Sequence, residues 1–192
     1  ISTNATAWGA VPVFITYTFA ENISDLKTAN AYWQQYKKKL KYHYGKLKYL
    51  VVVEFQKRGA IHYHALYFNL PYIKNIKPIL QDIWGHGFLQ IKAVNKIENI
   101  GAYVSKYLQK ENADSRLVGQ KAFFVSRGLF KPIIIKDEYK VKNLLCYIPK
   151  ETMAGKRLEF PTTYHGVMNY SQYRLNTEQV IALKAEISFL AL

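Results

Sequence analysis

The sequence predicts an α+β fold: a ferredoxin-like split β-α-β core with a central antiparallel sheet and helices packed on one of its faces. Three observations carry this. Strand-like and helix-like segments follow the order β-α-β-β-α-β-α over residues 11–110. Two of the strand-like segments flank Lys57-Arg58-Gly59, a three-residue turn with glycine where such turns need a left-handed residue. At 192 residues and 49% apolar, the chain is long enough to bury one sizeable core.

Val11 to Phe19 is β-branched and aromatic and reads as the first strand. Ser24 is placed to cap a helix from about Asp25 to Tyr44, in which Leu26, Ala29, Trp33, Tyr36 and Leu40 recur at helical steps. Gly45 is its stop signal. Leu47 to Gln56, with the run Leu50-Val51-Val52-Val53, and Ile61 to Leu70 form a hairpin. Lys74 to Trp84 is helical, with Pro78 near its start. Gly85-His86-Gly87 is a turn, Phe88 to Val94 a strand and Lys96 to Lys110 a helix. Beyond residue 112 the pattern loosens. Ala122 to Lys136 holds a strand or two, and Asn176 to Phe189 a closing helix. The expectation is a single domain, 1–192, with a core at about 11–110 and a C-terminal extension at about 112–192 packed on it. The chain opens on Ile1, as a piece excised from a longer protein would.

Twenty-seven Lys and Arg against 13 Asp and Glu give a net charge of +14. An excess of that size points to a polyanionic partner. The single cysteine, Cys146, excludes an intrachain disulfide framework or a Cys-rich zinc site and fits an intracellular setting. No run approaches the roughly 20 apolar residues of a membrane span.

The chemistry-bearing residues fall in two groups. Across the predicted hairpin Glu54 stands opposite His62, and His64 follows two residues on, so all three share one sheet face. A carboxylate and two imidazoles converging there suit a divalent cation. Mixed N/O ligation favours Mn²⁺ in affinity, while Mg²⁺ is the more available ion. The second group is Tyr103-Val104-Ser105-Lys106-Tyr107, where the tyrosines lie four apart on one helix face and Lys106 sits beside Tyr103. A phenol, with a pKa near 10, becomes a useful nucleophile when a cation stabilises the phenolate or a metal polarises its target. Arg58 at the hairpin tip, Lys38 and Lys41 on the first long helix, and Lys110 are candidate DNA contacts. His86, between two glycines, reads as a turn residue or a DNA contact rather than a further ligand.

His62-Tyr63-His64 followed by Tyr103-x-x-Lys106-Tyr107 resembles the HUH-type rolling-circle replication initiators, in particular their two-tyrosine phage and plasmid members. Phe14 to Phe19 resembles that family's first motif, Trp84 and Gly87 also match, and the likeness covers roughly residues 11–110. It implies metal-dependent, sequence-specific nicking and joining of single-stranded DNA at a replication origin. Glu54, His62 and His64 would be the metal ligands, Tyr103 the nucleophile that forms a 5′-phosphotyrosine link, and Lys106 its cationic support. Tyr107 would be a second acceptor, although single-tyrosine initiators share only the Tyr-x-x-Lys part, which leaves its chemical role open. The resemblance implies a cytoplasmic protein of a plasmid or virus in a prokaryotic host, working beside a host helicase or polymerase. A transposase of the same chemistry shares these motifs. A noncatalytic single-strand binder with an RNA-recognition topology is the remote rival, and it lacks the stacking aromatics expected where Ala60 and His62 stand.

Overall fold

The structure, a computed structural model, describes the chain apart from residues 6, 95–99, 113–114, 155–156, 165 and 191–192. The chain divides into two compact units, Ile1–Pro132 and Ile133–Leu192. The first begins with a short helix α1 (Ser2–Ala5), then β1 (Val13–Phe19), α2 (Leu26–Tyr44), β2 (Tyr49–Phe55), β3 (Ile61–Tyr67), α3 (Ile76–Trp84), β4 (Gly87–Ala93), α4 (Ile100–Asn112) and β5 (Phe123–Val125). The five strands form one sheet in the order β4-β1-β3-β2-β5, and every pair is antiparallel. This is the α+β architecture that the segment order predicts.

Local chemistry explains the boundaries. Asp25, not Ser24, caps α2, its carboxylate accepting from the Thr28 amide at 2.8 Å and the Lys27 amide at 3.4 Å. Gly45 ends that helix at φ 72°. The β2–β3 turn closes through Gln56 N–H to the Ala60 carbonyl at 2.8 Å, with Gly59 at φ 87°. The beginning of the helix expected from Lys96 lies outside the described residues, as does His165.

Strand alternation sorts the core into two layers. On one face Ile15, Tyr17, Phe19, Val51, Val53, Tyr63 and Tyr67 meet Trp33, Tyr36 and Leu40 of α2 and Leu80 and Trp84 of α3. There Tyr17 Oη lies 2.9 Å from Tyr36 Oη and 3.0 Å from Tyr67 Oη, so three buried hydroxyls satisfy one another. On the other face Phe14, Leu50, Val52, Leu66 and Phe68 meet Val104 of α4. Helices therefore cover both faces of the sheet, not one. All seven residues of β3, the central strand, are buried, as a strand covered on both sides requires.

The second unit contains α5 (Glu138–Cys146), capped by Asp137, a hairpin of β6 (Leu158–Thr162) and β7 (Gly166–Tyr170), and α6 (Thr177–Leu190). One sequence-predicted strand of the 122–136 stretch is present, as β5, while α5 and the β6–β7 hairpin are additions.

Candidate functional site

The β2–β3 register pairs Glu54 with His62 and Val52 with His64, and β1 sets Thr16 opposite His64. Glu54, His62, His64 and Thr16 therefore project from the face that α4 covers. His64 Nε2 lies 2.5 Å from Glu54 Oε2, and Thr16 Oγ1 lies 3.0 Å from His64 Nδ1. The imidazole is thus held at both nitrogens, one by a carboxylate and one by a hydroxyl. His62 is 8% exposed, and its Nε2 is buried with no hydrogen-bond partner. Burial is the main reason that His62 titrates low, at about 4, with His64 adding to the shift, Glu54 opposing it and Arg58 lowering it further. The ring is neutral at physiological pH, the form that binds a cation.

Among the described residues no group of three or more His, Cys, Asp or Glu side chains is already arranged as a metal cage. Glu54 is engaged with His64 instead. The donor set nevertheless fits a divalent ion. It offers one carboxylate, two imidazoles, an orphaned buried nitrogen that costs about 1–3 kcal/mol while unpaired, and a hydroxyl partner of the kind that orients a metal-bound histidine.

Phe14 links the histidines to the tyrosines. Tyr103 meets it edge-on at 5.2 Å, and Tyr107 stacks on it at 5.5 Å and on His64 at 4.1 Å. Burial, a hydrogen bond with Tyr103 and the negative charge of Glu54 all push the Tyr107 phenol well above the usual range, so it is held protonated. Tyr103 is flanked by ammonium groups: Lys92 Nζ lies 4.9 Å and Lys106 Nζ 5.4 Å from its ring centroid.

Glu54, His62, His64, Tyr103, Lys106 and Tyr107 thus share one face. The DNA-contact candidates are scattered by comparison. Arg58 is exposed at the hairpin, its Nε donating to Gln56 Oε1 at 3.0 Å. Lys38 and Lys41 are exposed on α2, which packs on the opposite sheet face. The side chain of Lys110 lies outside the described residues. His86 stacks on Tyr32 at 4.0 Å, beside Trp84, and is not brought to the histidine pair. Thr16 and Lys92 were not singled out from sequence. Their signal was strand parity: Thr16 alternates with buried Ile15 and Tyr17, and Lys92 pairs with Phe14 across β1–β4.

The family model described as Replication-associated protein ORF2 matches residues 12–112, just over half of the chain, from the start of β1 to the end of α4. No curated protein matches the chain.

Proposed function

The chain belongs to this family of replication-associated proteins, and from that premise we propose that it nicks and rejoins single-stranded DNA at a replication origin through a 5′-phosphotyrosine link. The observation that carries this reading is the placement of two tyrosines against a Glu-His-His set on one sheet face, Tyr107 lying on the ring of His64. The net charge of +14 suits a polyanionic substrate.

In this reading Glu54, His62 and His64 hold a divalent ion, Mn²⁺ or Mg²⁺. Polarisation of the scissile phosphate is the chemistry such an ion supplies. Thr16 fixes the orientation of the His64 ring through Nδ1. Tyr103 Oη attacks phosphorus and the P–O3′ bond breaks, which leaves the 5′ end on the protein and a free 3′-OH for a host polymerase to extend. The ammonium groups of Lys92 and Lys106 stabilise the phenolate as it loses its proton. Proximity to His64 favours Tyr107 as the attacking group, whereas charge favours Tyr103, because the Tyr107 phenol is held protonated and both flanking cations face Tyr103. We therefore give Tyr103 the first cleavage and Tyr107 the later transfer. A transposase would run the same steps, but the family description favours replication.

The test is to incubate the chain with single-stranded oligonucleotides tiling the cognate origin, with Mn²⁺, and to look for a protein–DNA adduct that survives denaturant. Absence of adduct across the whole origin refutes the nuclease. Tyr103→Phe abolishes the first adduct and Tyr107→Phe retains it; full cleavage by Tyr103→Phe transfers the first step to Tyr107.

A further inference from the structure

A cleft of about 700 Å³ opens in the first unit, away from the tyrosine face. Its cationic lining comes from three separate segments: Lys37 and Lys41 from α2, Lys46 and Lys48 from the α2–β2 connection, and Arg127 from just beyond β5. Among the described residues that line it there is no Asp or Glu. The wall is built rather than incidental. Lys48 Nζ donates to the Arg127 carbonyl at 2.8 Å, the Tyr49 amide donates to Ser126 Oγ at 2.9 Å, and the Ser126 amide returns a bond to the Tyr49 carbonyl at 3.0 Å. Gly128 is tied to this contact, since a Cβ there would stand 2.7 Å from Lys48 Nζ.

Like charges do not collect in one concavity without cost, and only an anion relieves it. The C-terminal carbonyls of α2 lie at the same end and supply roughly half a negative charge, too little to balance five cations. Lys37 is half-buried, and its ammonium is pulled below the usual lysine range by that burial, which a bound anion would offset. The aromatic lining is less available: Tyr67 is 1% exposed and Tyr49 half-buried. The cleft therefore offers charge for phosphates rather than ring faces for bases. Tyr49 and Tyr67 pair at one end of the β2–β3 ladder, and Glu54 and His62 five pairs further along, about 17 Å away.

We propose that this cleft is a second nucleic-acid site, which holds the phosphodiester backbone of single-stranded DNA on the sheet face opposite the tyrosines. It rests on the reading of the chain as a DNA-processing protein, and it adds a place where the strand beyond the cleaved position is retained. Two points of attachment on opposite faces would keep a nicked strand on the protein while its 3′ end is extended.

The experiment uses the full chain, EDTA to suppress cleavage, and a labelled oligothymidylate, with affinity measured by fluorescence anisotropy over a salt series. Neutralising three cleft cations together (K37Q, K46Q and R127Q) lowers the slope of log K against log salt by about 2 and weakens binding about a hundredfold at 0.1 M salt. R127Q alone, at an exposed position, lowers the slope by about 0.7, which keeps the proposal testable if the triple variant folds poorly. A control that removes the same charge elsewhere (K74Q, K77Q and K136Q) keeps the wild-type slope. An unchanged slope in the cleft variants, or an equal fall in the control, overturns the proposal. So does a cleft that binds polyglutamate through the same residues while the DNA slope stays fixed, because the occupant is then an acidic chain. A protein that forms no covalent adduct but shows the slope loss keeps the cleft and loses the nuclease; an adduct with an unchanged slope does the reverse.

Discussion

Lys92 provides the sharpest test of how Tyr103 is activated. It is exposed on β4, and its Nζ lies 4.9 Å from the Tyr103 ring centroid. At about 5 Å a unit charge interacts with a developing phenolate by about 3 kcal/mol at an effective dielectric of 20, and by just under 1 kcal/mol in bulk water. An exposed lysine falls between these limits, at about 1.4 kcal/mol, or a tenfold change in rate. Lys92→Gln should therefore form the covalent adduct about tenfold more slowly at pH 7 under single-turnover conditions, with saturating DNA and Mn²⁺. The deficit should shrink as the pH rises toward the phenol range near 10, where the phenolate needs less help. Lys92→Arg keeps the charge and should restore most of the rate. A wild-type rate in Lys92→Gln refutes the reasoning. So does a deficit of equal size at pH 7 and pH 9.5 that arginine fails to rescue, because that pattern belongs to packing rather than charge.

Three further outcomes follow from the same geometry. Thr16→Val keeps the side-chain shape but removes the hydroxyl on His64 Nδ1, and should weaken Mn²⁺ binding 10- to 100-fold by calorimetry; unchanged affinity would show that Thr16 does not orient the ring. Gly87→Ala should destabilise the first unit by about 3 kcal/mol or more in a thermal melt, because φ is 146° and a Cβ there would overlap the Thr18 carbonyl and the Ala20 amide. His62 titrates at about 4 in the fold and near 6.5 when unfolded, so between those values the unfolded chain binds more protons and stability falls as the pH is lowered. The full shift corresponds to about 3 kcal/mol, and partial access of water to the ring reduces this to about 1–2 kcal/mol. Urea midpoints at pH 7 and pH 4.5 should therefore differ less in His62→Gln than in the wild type, and an identical pH dependence would place the loss elsewhere.

What was legible in the sequence is what local geometry controls. Glu54 opposite His62 follows from a three-residue turn and the two-residue period of a strand, and the observed register is that one. Tyr103 and Tyr107 share a face because they are four apart on a helix. Which face of the sheet α4 meets is a long-range matter, decided by the path of the chain between β4 and α4, and that path carries no local signal. The apolar run Leu50-Val51-Val52-Val53 does carry one: a strand apolar on both sides needs cover on both sides, and the second cover is α4. In the second unit, β6 was hidden by Pro161, which demotes a strand, and by the exposure of its apolar residues, which never set up an alternating pattern.

The same parity explains why one strand can serve both fold and site. In β1, Ile15, Tyr17 and Phe19 are buried against α2 and α3, where large side chains and a closed set of tyrosine hydroxyls leave no polar group for chemistry. The intervening residues, Phe14 and Thr16, face α4, where Phe14 seats both tyrosines and Thr16 holds His64. A one-residue slip of β1 against β3 would exchange the two sets and dismantle core and site together. The strong packing on the α2–α3 side thus specifies the register on which the Glu-His-His set and the tyrosines depend. Loss of packing at Tyr17 should accordingly disturb the site from the far face of the sheet, without any contact to Glu54, His64 or Tyr103.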